Sequence, residues 1–291
     1  MDRFAGFADL YDANRPTAPE ALGDLLRAYA GMPLPEVVDL GSGTGLSTRW
    51  AARWASSVIG VEPSADMRLQ ATTRGGAGIS YVEGTSSETG LRSASADVVV
   101  AVQAMHWMEP VSTLAEVARI LRPGGVFATV DADWPPVSGV AAAEQAWVLL
   151  HRRIRVLEAR AARGDDVEQM RRPVAADDPS LDDDDLHDPH RNRAMPGGVR
   201  SWPKSGHLGR IVECGHFRFV RELLFNQPTD GGADRFVALM RSQGSYQGLR
   251  RLGLDDIDIG ADVFETEARA GFAAAASPGL SFSWRVRLGV A

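Results

Sequence analysis

The stretch EVVDLGSGTGLST, residues 36–48, gathers residue types that can hold a charged small molecule. An apolar run ends in Asp39 and Leu40, and Gly41, Gly43 and Gly45 follow at alternate positions. Glycines at such a turn let a ligand approach the main chain where a Cβ would clash. The residues beyond them read as a helix, whose first N–H groups lack intrahelical partners. Glu62 closes the next apolar run, nineteen residues after Gly43, and a carboxylate there can accept two hydrogen bonds from a ribose diol. A second polar group stands in AVQAMHWME, residues 101–109, where Gln103, His106 and Trp107 end another apolar run.

Two cofactor classes fit a glycine loop followed by an acidic residue. Nicotinamide dinucleotides use G-x-G-x-x-G, which receives a pyrophosphate at a helix N-terminus. Here the third glycine arrives one residue early, with Leu46 at the sixth position, and Asp39 brings negative charge to the cradle. That charge suits a cationic amino-acid group better than a pyrophosphate. The ligand implied is an adenosine with a zwitterionic tail, S-adenosyl-L-methionine.

The elements that must position these residues alternate. Apolar runs at 36–40, 57–62, 79–83, 96–103 and 125–131 read as strands, and 46–55, 64–74 and 111–121 between them read as helices. The expected fold class is α/β, a Rossmann-like doubly wound sheet of seven mostly parallel strands with an antiparallel last strand. A lead-in helix within 1–31 carries Leu22, Leu25, Leu26 and Tyr29. After Asp133 the pattern changes: 140–163 reads as a long helix, 164–190 as an acidic solvated loop, 205–215 as a helix and 216–225 as a strand. Residues 233–242 and 260–273 read as helices, and 280–290 alternates as a last strand. The division expected is a cofactor-binding core with lid helix at 1–133, a helical cap insertion at 134–215, and completion of the sheet plus cap helices at 216–291.

The 291 residues carry a net charge of −7, which argues against a nucleic-acid partner. One cysteine, Cys214, excludes a disulfide framework and a cysteine zinc site, and suits a reducing, cytoplasmic location. No apolar stretch is long enough for a membrane span, and the N-terminal residues lack the pattern of a secretion signal. Lys204 is the sole lysine among 31 basic residues, which reads as a coding bias rather than a functional signal. His187-Asp188-Pro189-His190 is a poor metal site, because a proline intervenes and no helical histidine pair exists, so no metal is expected.

Five stretches together resemble the class I S-adenosylmethionine-dependent methyltransferases. VVDLGSGTG, VIGVEPS (58–64), GTSSETGL (84–91), SADVVVAVQAMHW and ARILRPGGVFATV (118–130) follow that family's motifs in order and spacing. The Q-A-x-H-W string and Tyr11-Asp12-Ala13-Asn14-Arg15-Pro16 are similar to the small-molecule branch around trans-aconitate methyltransferase. The resemblance implies that Asp39, Gly41 and Gly43 line the methionine tail and that Glu62 holds the ribose. Pro63, Ser64 and Met67 would border the adenine, with Thr85 and Ser86 at its edge. Thr85 departs from the acidic residue that family members often carry there. Tyr11 and Arg15 would close over the cofactor carboxylate, and Gln103 and Trp107 would meet its methionine end.

Methyl transfer from a sulfonium is an in-line displacement, so the protein mainly positions the acceptor and excludes water. A base is needed only where the acceptor carries a proton, and His106 is the candidate for that role. The string after the fourth run is not the N-P-P-Y type of DNA amine methyltransferases. The reading is therefore a methyltransferase acting on a small molecule, with O- or carboxyl-methylation favoured, as in natural-product biosynthesis. It is expected to be cytoplasmic, a monomer or homodimer, with no membrane or nucleic-acid partner. An NAD(P)-dependent oxidoreductase and a non-catalytic binding module with this fold are the alternatives. Trp147, Trp202, Met195, Phe236, Met240, Tyr246, Arg250 and Arg251 are candidates for the acceptor cover.

Overall fold

The structure is a computed structural model of the chain; it describes residues 15–172, 193–194 and 200–291. Five parallel strands build the central sheet: β1 (Glu36–Leu40), β2 (Ser57–Val61), β3 (Ile79–Val82), β4 (Ala96–Val102) and β5 (Leu121–Ala132). Two further strands, β6 (Phe219–Thr229) and β7 (Leu280–Val290), complete it. The order across the sheet is β3-β2-β1-β4-β5-β7-β6. β7 is antiparallel to both β5 and β6, so it is the one reversed strand. This is the α/β seven-stranded sheet that the alternating apolar runs predict. A two-residue antiparallel ladder pairs Arg193–Ala194 with Arg200–Ser201.

Strands buried on both faces read as continuous apolar runs, and β4 is the clearest, with Ala96 to Ala101 all buried. Alternation along the strands sends side chains to two cores. Val37, Val98, Val100 and Val126 meet helix α1 (Glu20–Ala30) through Leu22 and Leu26, and α2 (Leu46–Ala51) through Trp50. Val38, Leu40, Val99 and Phe127 face the other way, against Leu114, Val117 and Ile120 of a later helix, Pro110–Ile120. Between these lies α3 (Ala65–Arg74), started by Ser64, whose hydroxyl accepts from the Met67 N–H. The Pro110–Ile120 helix, α4, begins with Pro110 in its first turn and Glu109 as its cap, accepting from the N–H groups of Val111 and Ser112.

The cap is helical. α5 (Ala141–Arg163) ends at Gly164, which supplies the left-handed C-terminal residue at φ 92°. Residues 164–172 are not the open acidic loop expected from composition. A short helix α6 (Val167–Arg171) forms there, because Asp166 and Gln169 make a reciprocal capping box and Met170 buries its side chain. Residues 173–190, the rest of that expected loop, lie outside the described residues, as do His187 and His190.

Helix α7 (His207–Glu213), expected within the cap, lies against the sheet instead, with Ile211 in the same core as Phe127 and Leu114. α8 (Ala233–Arg241) and α11 (Ala261–Ala274) occur where expected. The sequence reading missed α9 (Gly244–Arg251) and α10 (Asp256–Ile259) between them. α10 is set by Asp255, which accepts from the N–H groups of Ile257 and Asp258.

The cap has an aromatic centre. Phe236 is fully buried, its ring 5.0 Å from Trp147, 6.0 Å from Phe264 and 5.5 Å from Phe272. Trp134 stacks on Trp147 at 5.8 Å and meets Phe282 of β7 edge-on at 5.6 Å, so cap and sheet share one core. Among the described residues, no helix is long and apolar enough to cross a membrane. Phe236→Ala would open a cavity between three rings; a loss of about 3–5 kcal/mol is expected, read as a lowered urea midpoint by tryptophan fluorescence.

Candidate active site

A cavity of about 460 Å³ opens at the C-terminal ends of β1, β2 and β4. The glycine loop after β1 forms its floor. Gly41 stands at φ 68°, and a Cβ there would come within 2.9 Å of Ala104 and Met108, so only glycine fits between β1 and the segment after β4. Gly43 stands at φ 54° with open space where a Cβ would project, on the cavity side. The loop is tied to β2 by the N–H groups of Gly41 and Ser42, which both donate to the Val61 carbonyl, at 2.9 and 3.2 Å.

Glu62 is held by its neighbours. The Gly43 N–H donates to Oε2 at 3.0 Å and the Ser64 N–H to Oε1 at 2.9 Å. Each carboxylate oxygen keeps a second lone pair, and the side chain lines the cavity. The carboxylate is thus pinned in one orientation while retaining capacity for a diol.

Pro63, Ser64 and Met67, after β2, form one wall, and Gly84, Thr85 and Ser86, after β3, form a second. The second wall is anchored to α4. Ser86 Oγ and Thr113 Oγ1 are 2.8 Å apart, and the Thr89 N–H donates to Glu116 Oε1 at 2.9 Å. Arg119, and then Thr89, hold the Glu116 carboxyl down to about 2, so this anchor stays charged.

Arg15, Gln103 and Trp107, which the sequence singles out, also line the cavity. Arg15 lies 4.9 Å over the Trp134 ring and donates to Gln243 Oε1 at 3.3 Å, which links the cavity to the cap. Tyr11 lies outside the described residues.

Two expected residues are placed differently. Asp39 does not line the cavity: it is fully buried under the loop, where its Oδ2 accepts from Ser47 Oγ and Thr48 Oγ1, both at 2.7 Å. Its role in this structure is to hold the start of α2 beneath the glycine turn, while its Oδ1 has no hydrogen-bond partner. Burial, with a smaller contribution from the Glu62 charge and against the two hydroxyls, pushes the Asp39 carboxyl from 3.8 up to about 6.

His106 does not line the cavity either; it is 3% exposed, beside the Trp107 ring at 4.8 Å. Its Nδ1 faces Asp131 Oδ1 at 3.8 Å, beyond hydrogen-bond reach, and Lys204 Nζ lies 3.1 Å from that same oxygen. Burial alone would raise Asp131; Lys204 first, then His106 and His207, outweigh it and hold the carboxyl below the usual range. Arg287 Nη1 is 3.2 Å from the other oxygen.

Sequence reasoning missed Lys204, Asp131, Ser42, Thr44, Leu46, Ser47, Ala104 and Met108. The last six adjoin residues already singled out, so adjacency was the available signal. Of the expected cover residues, Trp147, Phe236, Met240 and Tyr246 are core of the cap, and Arg250 and Arg251 lie exposed on α9. Trp202 is half-buried, with its N–H donating to the His106 carbonyl at 2.7 Å. None of these lines the cavity, and Met195 lies outside the described residues.

With this geometry in place, residues 38–129 match the methyltransferase domain family. An uncharacterized methyltransferase of Mycobacterium tuberculosis is 39% identical over 124 residues, covering 42% of this chain and 49% of that one. Dimethylglycine N-methyltransferase of Parasynechococcus marenigrum is 35% identical over 109 residues, covering 34% and 39%. The chain spans about half the length of the first of these relatives. Among solved structures, one assigned as a methyltransferase of an antibiotic biosynthesis pathway in Anabaena variabilis aligns over 96% of this chain and 99% of that one. Its TM-score is 0.60 at 17% identity. Another, assigned as a type II methyltransferase from Anaeromyxobacter dehalogenans, aligns over 95% and 97% with a TM-score of 0.57 at 22% identity. These two share the fold.

The buried position of Asp39 sets a pH dependence. Its folded-state carboxyl titrates near 6 and the ordinary value is 3.8, so ionisation opposes folding. Its contribution makes stability fall as pH rises from about 4 to about 6 and stay level above. Asp39→Asn removes that contribution, so the variant's advantage over wild type should be larger at pH 7 than at pH 4.5. Urea midpoints at the two pH values read it directly; equal differences would contradict the assignment.

Proposed function

We propose that this chain is a methyltransferase that moves the methyl group of S-adenosylmethionine to a small molecule, with a carboxylate as acceptor. The observation that carries the cofactor half is Glu62, pinned by two backbone N–H groups at the edge of a cavity floored by Gly41 and Gly43. When bound, S-adenosylmethionine supplies a methyl group already activated on a sulfonium. Glu62 would accept from the ribose hydroxyls. Pro63 and Met67 would cover one side of the adenine, and Thr85 and Ser86 would meet its edge. Gly43 leaves room for the ligand at the main chain, and Trp107 offers an aromatic face to a cation.

The acceptor half rests on what the wall carries. Among the described residues that line the cavity, the titratable side chains are Arg15 and Glu62. With Glu62 engaged by the ribose and Arg15 a cation, that leaves no base. A carboxylate is already deprotonated at neutral pH, so it needs no base. His106 then supports the Trp107 wall rather than moving a proton. This agrees with the similarity of QAMHW to the trans-aconitate branch. A second acceptor class that needs no base is a neutral tertiary amine, and the N-methyltransferase relative favours it.

In this reading residues 1–133 hold the cofactor, while 134–215 and the cap helices within 216–291 cover the acceptor. The enzyme is cytoplasmic, a monomer or homodimer, without nucleic-acid or membrane partners; the net charge of −7 supports the absence of nucleic acid.

Calorimetry with S-adenosylhomocysteine should show binding, weakened about 100-fold or more by Glu62→Ala, since two charge-assisted hydrogen bonds are lost. No binding to the wild type would sink the cofactor assignment. With labelled S-adenosylmethionine and a panel of carboxylic acids and tertiary amines, the expected product is a base-labile ester. For His106→Ala, the pH profile of kcat/KM should keep the limbs of the wild type; loss of a limb would restore His106 as a base.

A further inference from the structure

One contact joins the cavity to the segment that follows the insertion. Lys204 opens a 3-10 turn, Lys204–Gly206, and its Nζ donates to Gln103 Oε1 at 2.7 Å while lying 3.1 Å from Asp131 Oδ1. An ammonium has three donors and no acceptor. The Gln103 amide is therefore forced into one orientation, with its carbonyl toward Lys204 and its NH2 turned away. Gln103 lines the cavity, and among the described residues no group accepts from that NH2.

Both ends of the arrangement are fixed. Gln103 has φ 53°, a left-handed backbone that side-chain-bearing residues rarely adopt, and its N–H donates to the Val130 carbonyl at 2.8 Å. Lys204 is held by Asp131, which is 1% exposed and paired on its other oxygen with Arg287.

The strand order says what the NH2 meets. Glu62 follows β2, Gly41 to Gly43 follow β1, and Gln103 follows β4, and these strands are neighbours in that order. A ligand with its ribose on Glu62 and its chain across the glycine loop brings its tail to Gln103. We propose that Lys204 is a positioning residue that turns the Gln103 amide so that it donates to the carboxylate of the cofactor's amino-acid tail. Without Lys204 the amide can present either its donor or its acceptor face. The proposal rests on the cofactor reading above.

The test compares S-adenosylhomocysteine with 5′-methylthioadenosine, which lacks the amino-acid tail, by calorimetry. Lys204→Met should weaken S-adenosylhomocysteine about tenfold or more and leave methylthioadenosine within about twofold. Gln103→Met, which keeps the Lys204–Asp131 pair, should show the same selective loss. The double variant should be no worse than either single one, because both remove the same contact. Lys204→Arg, also a pure donor, should restore most of the affinity. Where Lys204→Met does not fold, Gln103→Met and Lys204→Arg carry the comparison. Equal weakening of both ligands, no weakening of either, or an additive double variant would overturn the role of Lys204. Failure of the folded wild type to bind either ligand would remove the cofactor reading, and this proposal with it. Binding of both ligands with no tail-selective loss removes the proposal alone.

Discussion

A reversal of strand order shapes everything at this site. α2, which leads away from β1, lies on one face of the sheet, while α4, which leads away from β4, lies on the other. The connections part between two adjacent strands, and the crevice at their carboxyl ends is where open parallel sheets take their ligands. Each local feature answers to it. The glycine loop must turn sharply at the lip of the crevice, Ala104 and Met108 approach Gly41 too closely for any side chain there, and Glu62 is reached by an N–H from the loop.

A second layer of organisation lies behind the cavity and is electrostatic. Asp131 sits on β5 with Lys204 on one oxygen and Arg287 on the other; Arg287 also pairs with Glu222 of β6 at 2.8 Å. Buried pairs of this kind are weak evidence of stability, since desolvation offsets much of the attraction. What they supply is direction. The network runs from the far edge of the sheet, through β7 and β5, to Gln103 after β4, which lines the cavity. The segment following the insertion thereby bears on the cavity without lining it.

Local signals made much of this readable from sequence. Continuous apolar runs separated by helical stretches identify the parallel strands, and the glycine loop with Glu62 identifies the crevice, because each depends on residues close in the chain. What was hidden depends on partners far apart. The contact of Lys204 with Gln103 spans 101 positions, and a lone lysine in an arginine-rich chain gives no hint of it. His106 looks like a base in isolation, but its surroundings are set by Asp131 on the next strand and by Lys204. α6 was obscured by acidic composition, although its Asp166 and Gln169 form a capping pair. α9 and α10 were obscured by Gly244, Gly248 and Gly253, which weaken any helical pattern, while tertiary burial of Tyr246, Leu249 and Ile259 outweighs that weakness.

Gln103 carries one more implication through its backbone. A residue with a side chain held at φ 53° costs on the order of 1 kcal/mol or more relative to a relaxed conformation, and glycine would relieve it. The position is thus one where greater fold stability and retention of the amide pull in opposite directions. Optimising this chain for thermal resistance alone would select glycine at 103 and erase a wall of its own cavity.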